Sequence, residues 1–118
     1  MKLNANNAGL ASEKKAETFL TGQGLKLIAN NYHCRHGEID LIMQDGKTLV
    51  FIEVRLRTNH RFGNAASSIT LHKQQKITRT AQHYLQQHNI DMPCRFDALL
   101  LNSANNTDIQ WIRNAFDA

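Results

Sequence analysis

Residues 37–57, G-E-I-D-L-I-M-Q-D-G-K-T-L-V-F-I-E-V-R-L-R, have the form of a β-hairpin with charges where a purely structural hairpin would carry apolar side chains. Two runs rich in β-branched and large apolar residues, Ile39 to Met43 and Thr48 to Leu56, flank Asp45-Gly46. That dipeptide suits a two-residue type I′ turn, because both residues tolerate positive φ. With those two residues as the loop, Gln44 faces Lys47, Ile42 faces Leu49, Asp40 faces Phe51 and Glu38 faces Glu53. Side chains alternate with period two, so Glu38, Asp40, Phe51, Glu53 and Arg55 share one face. The other face takes Ile39, Leu41, Met43, Val50, Ile52, Val54 and Leu56 and is wholly apolar. Asp40 and Glu53 are then diagonal neighbours, about 5 to 8 Å apart at Cβ, and both can reach one cation. A slip of one residue would separate them, but it would also turn the dry face to water.

The chain around this hairpin has the length of one domain. Its 118 residues suffice to bury roughly two-thirds of the surface that the unfolded chain exposes. Apolar residues at 42% and charged residues at 20% argue against disorder, and no apolar run approaches a membrane span. The expected organisation is a flexible arm at residues 1–8 and a single domain over 9–118. Met1 to Ala8 lacks the apolar core of a signal peptide, so the default expectation is a cytoplasmic protein with no membrane partner. Cys34 and Cys94 suit a reducing compartment, as buried thiols, better than a disulfide framework. Fourteen Lys and Arg against ten acids give a net charge of +4 and a pI near 9.3. That balance mildly favours an anionic partner such as nucleic acid, although a solvated basic surface also accounts for it.

In chain order, Gly9 to Gln23 has a helical pattern, with Ala16, Phe19 and Leu20 on one stripe and Ser12 at its margin. Glu13 borders that stripe, while Lys14 and Thr18 turn outward. A carboxylate at such an edge either snorkels into a salt bridge or meets a partner at the sheet. Leu25 to Tyr32 is a first strand, running into His33-Cys34-Arg35-His36. Those four residues do not make a zinc site, since no second ligand pair follows at finger-like spacing; a polar turn fits them better. Beyond the hairpin, Thr58 to Ser68 is polar. Arg55, Arg57 and Arg61 cluster at and past the strand end, where guanidinium forks either match phosphate oxygens or neutralise nearby acids. Ile69 to Gln87 is a second helix with Ile77, Ala81 and Tyr84 in line. Lys73 lies one turn before Ile77 on the inward stripe, whereas Lys76, Arg79 and Gln82 lie away from it. Lys73 either snorkels or reaches toward the acidic face of the sheet. Arg95 to Leu101 is a strand with a continuous apolar run after Asp97, typical of burial on both faces. Asp108 to Arg113 is an edge strand with Trp111 facing inward. The order is α-β-β-β-α-β-β, an α/β (α+β) architecture with a central mixed sheet flanked by helices.

Asp40 and Glu53 on neighbouring strands suit a hard cation such as Mg²⁺, which keeps several waters and usually needs one or two protein carboxylates; Glu13 could add a third. An ion so held lowers the pKa of a bound water and clamps a phosphoryl oxygen, the requirements for hydrolysing a phosphodiester. Arg55, on the same face, would offset negative charge building on the phosphorus oxygens.

Asp40 followed by Glu53-Val54-Arg55, in a hairpin after a Glu-bearing helix, resembles the PD-(D/E)XK signature of restriction-endonuclease-like nucleases. More narrowly, G-L-A-S-E-K-K-A-E-T-F-L at Gly9 to Leu20, G-E-I-D-L-I at Gly37 to Ile42, V-F-I-E-V-R-L-R at Val50 to Arg57, Lys73-Gln74 and C-R-F-D at Cys94 to Asp97 resemble the YraN family. That family is described as similar to Holliday-junction resolvases, and the resemblance spans nearly the whole chain. It implies a restriction-endonuclease-like core and a nuclease dependent on Mg²⁺ or Mn²⁺ that acts on DNA, branched or junction DNA among the candidate substrates. Glu13, Asp40 and Glu53 would be the metal-binding acids, and Asp40, Glu53, Arg55 and Lys73 the catalytic set. Arg55, Arg57, Arg61 and Lys73 would contact nucleic acid, and a homodimer follows by analogy with enzymes that cut two strands. This chain departs from the signature at Arg55, where a Lys is usual; arginine keeps its proton and cannot serve as a general base. Ile39 also stands where the signature has Pro. The rival reading is a nucleic-acid-binding module or adaptor that keeps the scaffold without turnover.

Overall fold

A computed structural model describes residues 7–57, 69–102 and 108–117. The elements are α1 (Asn7–Gly22), β1 (Lys26–Cys34), β2 (Gly37–Asp45), β3 (Thr48–Arg57), α2 (Leu71–Gln87), β4 (Cys94–Asn102) and β5 (Ile109–Phe116). They occur in the expected order, and the five strands form one sheet in sequence order. All neighbours are antiparallel except β3 and β4, which are parallel. A parallel pair needs a long crossover, and α2 lies on it. Among the described residues no helix is long and apolar enough to cross a membrane.

Several boundaries differ from expectation. α1 starts at Asn7 rather than Gly9, so only residues 1–6 of the expected arm lie outside the described residues. β1 continues through His33 and Cys34, leaving Arg35 and His36 as the turn. α2 begins at Leu71, because Thr70 caps it by accepting the Lys73 N–H at 3.2 Å, while Ile69 stays outside the helix as a buried plug. β5 extends to Phe116. Cys34 is half-buried and Cys94 exposed, so the expectation of buried thiols is corrected, although both are free.

The sheet is buried on both faces by alternation along its strands. α1 brings Ala16 and Leu20 onto Leu41, Met43, Val50, Ile52 and Leu99. On the opposite face α2 brings Ile77, Ala81 and Tyr84 onto Ile42, Leu49, Phe51, Phe96 and Ala98. β4 is buried from Phe96 to Asn102, as the apolar run after Asp97 suggests. Each large side chain so buried contributes about 1.5–3 kcal/mol relative to exposure.

The hairpin turn is displaced by one residue. Asp45 pairs with Thr48, so the loop is Gly46-Lys47, and the ladder runs through Gln44↔Leu49, Met43↔Val50 and Ile42↔Phe51 to Leu41↔Ile52. Gly46 alone of the two loop residues has positive φ, 62°, which suits a two-residue turn with glycine first. Asp45 is held in the strand by Arg95, whose Nη1 lies 3.0 Å from its carboxylate. Extending this register brings Asp40, rather than the expected Glu38, to the level of Glu53. The face parity of β3 survives, but Ile39 crosses from the expected dry face to the α2 side, with Ile42 and Phe51. Asn31, at φ 50°, sits between the pairs Asn30↔Leu41 and Tyr32↔Ile39, and interrupts the alternation there. Leu56, expected on the dry face, is exposed.

Gly37 lies where α2 comes down on the start of β2. Its φ is 148°, and a Cβ there would lie 3.2 Å from Thr80 Oγ1 and 3.9 Å from Lys76. Gly37→Ala combines backbone strain with overpacking and is expected to cost about 2 kcal/mol. Chemical denaturation would measure it; an unchanged midpoint would show that the approach is slack.

Candidate active site

β2 and β3 part company at Asp40. Past Leu41↔Ile52 the main-chain ladder stops, and the Val54 N–H donates instead to Asp40 Oδ2 at 2.8 Å. Asp40 therefore does not stand on the sheet face beside Glu53, as expected from simple alternation, but reaches into the gap between the strands. Glu53 projects on the α2 side and is 7% exposed. Its Oε2 lies 2.9 Å from Lys73 Nζ and 3.5 Å from Arg55 Nη1. Of the two fates open to Lys73, reaching the acidic face is the one realised. The contact with Arg55 also realises in part the neutralisation of a nearby acid expected of the arginine cluster. Glu38, by contrast, pairs with His33 at 3.2 Å on the surface.

From the other face α1 supplies Glu13. Ser12, Ala16 and Leu20 are buried, so the helix is rotated as its stripe requires, and Glu13 comes against the sheet within hydrogen-bonding reach of the Asn31 and Asp40 side chains. Glu13 Oε1 is buried with no partner. The electrostatics record the crowding. Burial, followed by the charge of Glu53, pushes the Asp40 carboxyl from 3.8 to about 8, against the opposing pull of the Val54 hydrogen bond; Glu13 and Glu38 raise it further. Burial likewise raises Glu13, opposed by its hydrogen bonds to Asn31 and Asp40.

The fork thus gathers Glu13, Asp40, Glu53, Arg55 and Lys73 from α1, β2, β3 and α2. For Arg57 only the main chain, at the end of β3, is described, and Arg61 lies outside the described residues. Sequence reasoning missed Asn31. Its signal was Asn30-Asn31 inside a strand pattern, since Asn tolerates a left-handed backbone better than most residues.

These residues fit a hard divalent cation. Glu53 faces two side-chain cations, one Glu13 carboxylate oxygen is buried without a partner, and burial, then the Glu53 charge, raises the Asp40 carboxyl, a crowding that a cation would offset. Among the described residues no three His, Cys, Asp or Glu side chains are grouped so that they could hold a metal ion together. Two carboxylates with water satisfy Mg²⁺, so a closed cage is not required.

Comparison with known proteins places the chain in a family. The model of Uncharacterised protein family UPF0102 matches residues 12–101. A UPF0102 protein of Nitrosospira multiformis is 59% identical over 109 residues, covering 92% of both chains. One from Nitrosomonas europaea is 54% identical over 96% of both, and one from Psychromonas ingrahamii is 52% identical over 95% of this chain and 91% of its own. The chain belongs to the UPF0102 family. This agrees with the YraN-like resemblance, and the matched segment takes in Glu13, Asp40, Glu53, Arg55 and Lys73. The UPF0102 match closes at Leu101, within β4, so β5 and its Trp111 lie beyond the matched segment.

Proposed function

We propose that this UPF0102 protein is a nuclease that hydrolyses DNA phosphodiester bonds with a divalent cation, on a restriction-endonuclease-like core. The observation that carries the reading is the convergence of Glu13, Asp40 and Glu53 at the β2–β3 fork beside Lys73 and Arg55. In this reading Asp40 and Glu53, with Glu13, hold Mg²⁺ or Mn²⁺. The ion would polarise a phosphoryl oxygen and make a water nucleophilic near neutral pH. Lys73 supplies an ammonium 2.9 Å from Glu53, the group that the PD-(D/E)XK signature places two residues after its second acid. Arg55 cannot remove a proton, and it acts by charge on the phosphate oxygens. Lys73 and Arg55 together position the carboxylate and offset charge that grows in the transition state. Branched DNA enters as a substrate class through the resemblance to junction resolvases.

A second reading, a DNA-binding module or adaptor without turnover, draws on a specific observation. Arg55 stands in the usual lysine position, and the cations that hold Glu53 already neutralise it. Purified protein incubated with linear, single-stranded and four-way-junction DNA in Mg²⁺ or Mn²⁺ separates the two. Asp40→Asn and Glu53→Gln should each reduce cleavage by roughly a hundredfold or more, beyond the effect of losing an outer-sphere group. Cleavage that survives both substitutions would overturn the nuclease reading.

A further inference from the structure

The outer flank of α2 is left unused by the acid site, and it meets the start of β2 across a groove. Because Gly37 has no side chain, α2 can lie close enough for Lys76 to cross the start of β2. Beside that crossing is a groove of about 460 Å³ lined by Glu38, Thr70, His72, Lys73, Lys76 and Ile77. One end opens at Lys73, and therefore at Glu53. The acid in the groove, Glu38, is 61% exposed and paired with His33. Lys76 has no acidic partner among the described residues. The Thr70 hydroxyl already accepts the Lys73 N–H, so the groove's affinity for anions rests on side chains rather than on a bare helix end. Further along the same flank, His83 Nδ1 is 2.6 Å from the Tyr32 hydroxyl, and the His36 ring is centred 6.0 Å from that of His83.

We propose that this groove carries the nucleic-acid strand away from the acid site, with Lys76 and His72 gripping the backbone phosphate next to the one at Glu53. The inference rests on the nuclease reading for the choice of nucleic acid as ligand. Groups three and four residues apart on a helix lie about 5–6 Å apart, of the order of the step between successive phosphates on a strand. Lys73 and Lys76 can therefore serve consecutive phosphates, and the strand would continue toward His36 and His83. Backbone contacts of this kind fix register without reading sequence.

The test is fluorescence anisotropy with short labelled duplex and single-stranded DNA, in EDTA, across a range of salt concentrations. Lys76→Glu should weaken binding by about tenfold and lower the slope of log affinity against log salt by about 1, the signature of a lost phosphate contact. The affinity of the wild type for each probe at matched salt tells which form the groove prefers, because the salt slope itself is steeper for duplex at equal contacts. Lys15→Glu, an equal charge change on exposed α1, is the matched control. Thermal melting verifies folding; if Lys76→Glu does not fold, His72→Ala at an exposed position should weaken binding by about twofold to threefold.

The groove is overturned by affinity that ignores Lys76 and His72, by an equal loss in Lys15→Glu, or by failure to bind either probe at low salt. Lys76-dependent binding without cleavage in any metal would keep the groove and remove the nuclease reading. Cleavage abolished by Asp40→Asn, with binding indifferent to Lys76, would do the reverse.

Discussion

In metal-free buffer at pH 8, Asp40→Asn is expected to melt above the wild-type protein, by about 2 kcal/mol or roughly 8 °C for a chain of this size. The sign follows from the carboxyl's environment. In the unfolded chain Asp40 ionises near 3.8, whereas in the folded protein burial and the Glu53 charge hold its proton until about 8. A raised folded-state value means that the group's stabilisation is complete below about 4 and is lost as pH rises through about 8. Wild-type stability should therefore fall between about pH 4 and pH 8, with a slope of at most ~1.4 kcal/mol per pH unit. Asparagine keeps an oxygen for the Val54 N–H and an amide for Glu13, so Asp40→Asn should flatten that dependence. Excess Mn²⁺ should reverse the order. A ligand bound only to the folded state at a hundred times its dissociation constant adds about 2.7 kcal/mol, and Asp40→Asn should forgo most of it. Scanning calorimetry at several pH values, with and without Mn²⁺, makes the comparison. A variant that melts below wild type throughout would mean that Asp40 is structural and that the acids do not repel one another.

The same physics explains how much of the site was legible in the sequence. Alternation on β3 was readable because one parity carries only Val50, Ile52, Val54 and Leu56 and the other carries the charged Glu53 and Arg55. Glu13 and Lys73 were readable because helical spacing ties each to a buried stripe, Ser12–Ala16–Leu20 and Ile77–Ala81–Tyr84. The turn position was not. Asp45-Gly46 and Gly46-Lys47 are both acceptable locally, and the choice is tied to Arg95, fifty residues away in sequence and brought alongside by the parallel β3–β4 pair. Nor was the face of Ile39, since the break in alternation needs Asn31 on a different strand to adopt φ 50°. Local pattern thus located the acids, but long-range pairing decided that Asp40 would enter the strand gap.

Asp97→Ala is expected to be among the most destabilising substitutions outside the acid site, by about 3–5 kcal/mol, the usual cost of breaking a buried charge pair. Asp97 is fully buried on β4, where the β4–β5 register shifts between Phe96 and Ala98. Its carboxylate accepts from Arg95 Nε at 3.1 and 3.2 Å, from Trp111 Nε1 at 2.9 Å and from the Asn114 N–H at 3.0 Å. Truncation would leave Arg95 with a single acidic partner, Asp45, although Arg95 Nη2 is already buried without one. It would also free a main-chain donor at Asn114, which sits at φ 51°. Asp97→Asn separates shape from charge: the amide oxygen can still accept from Trp111 or Asn114, but its NH₂ opposes Arg95, so an intermediate loss of about 2 kcal/mol is expected. Trp111 gives a direct readout, because Phe19 and Arg113 pack on its ring at 6.3 and 4.2 Å, and loss of the Asp97 bond should alter its fluorescence before global unfolding. The acids lie on α1, β2 and β3, so each Asp97 variant below its melting temperature should bind Mn²⁺ with wild-type affinity. An Asp97→Ala protein that is as stable as wild type would show that β5 is held by its apolar contacts alone, whereas one that is stable but no longer binds Mn²⁺ would move Asp97 into the functional site.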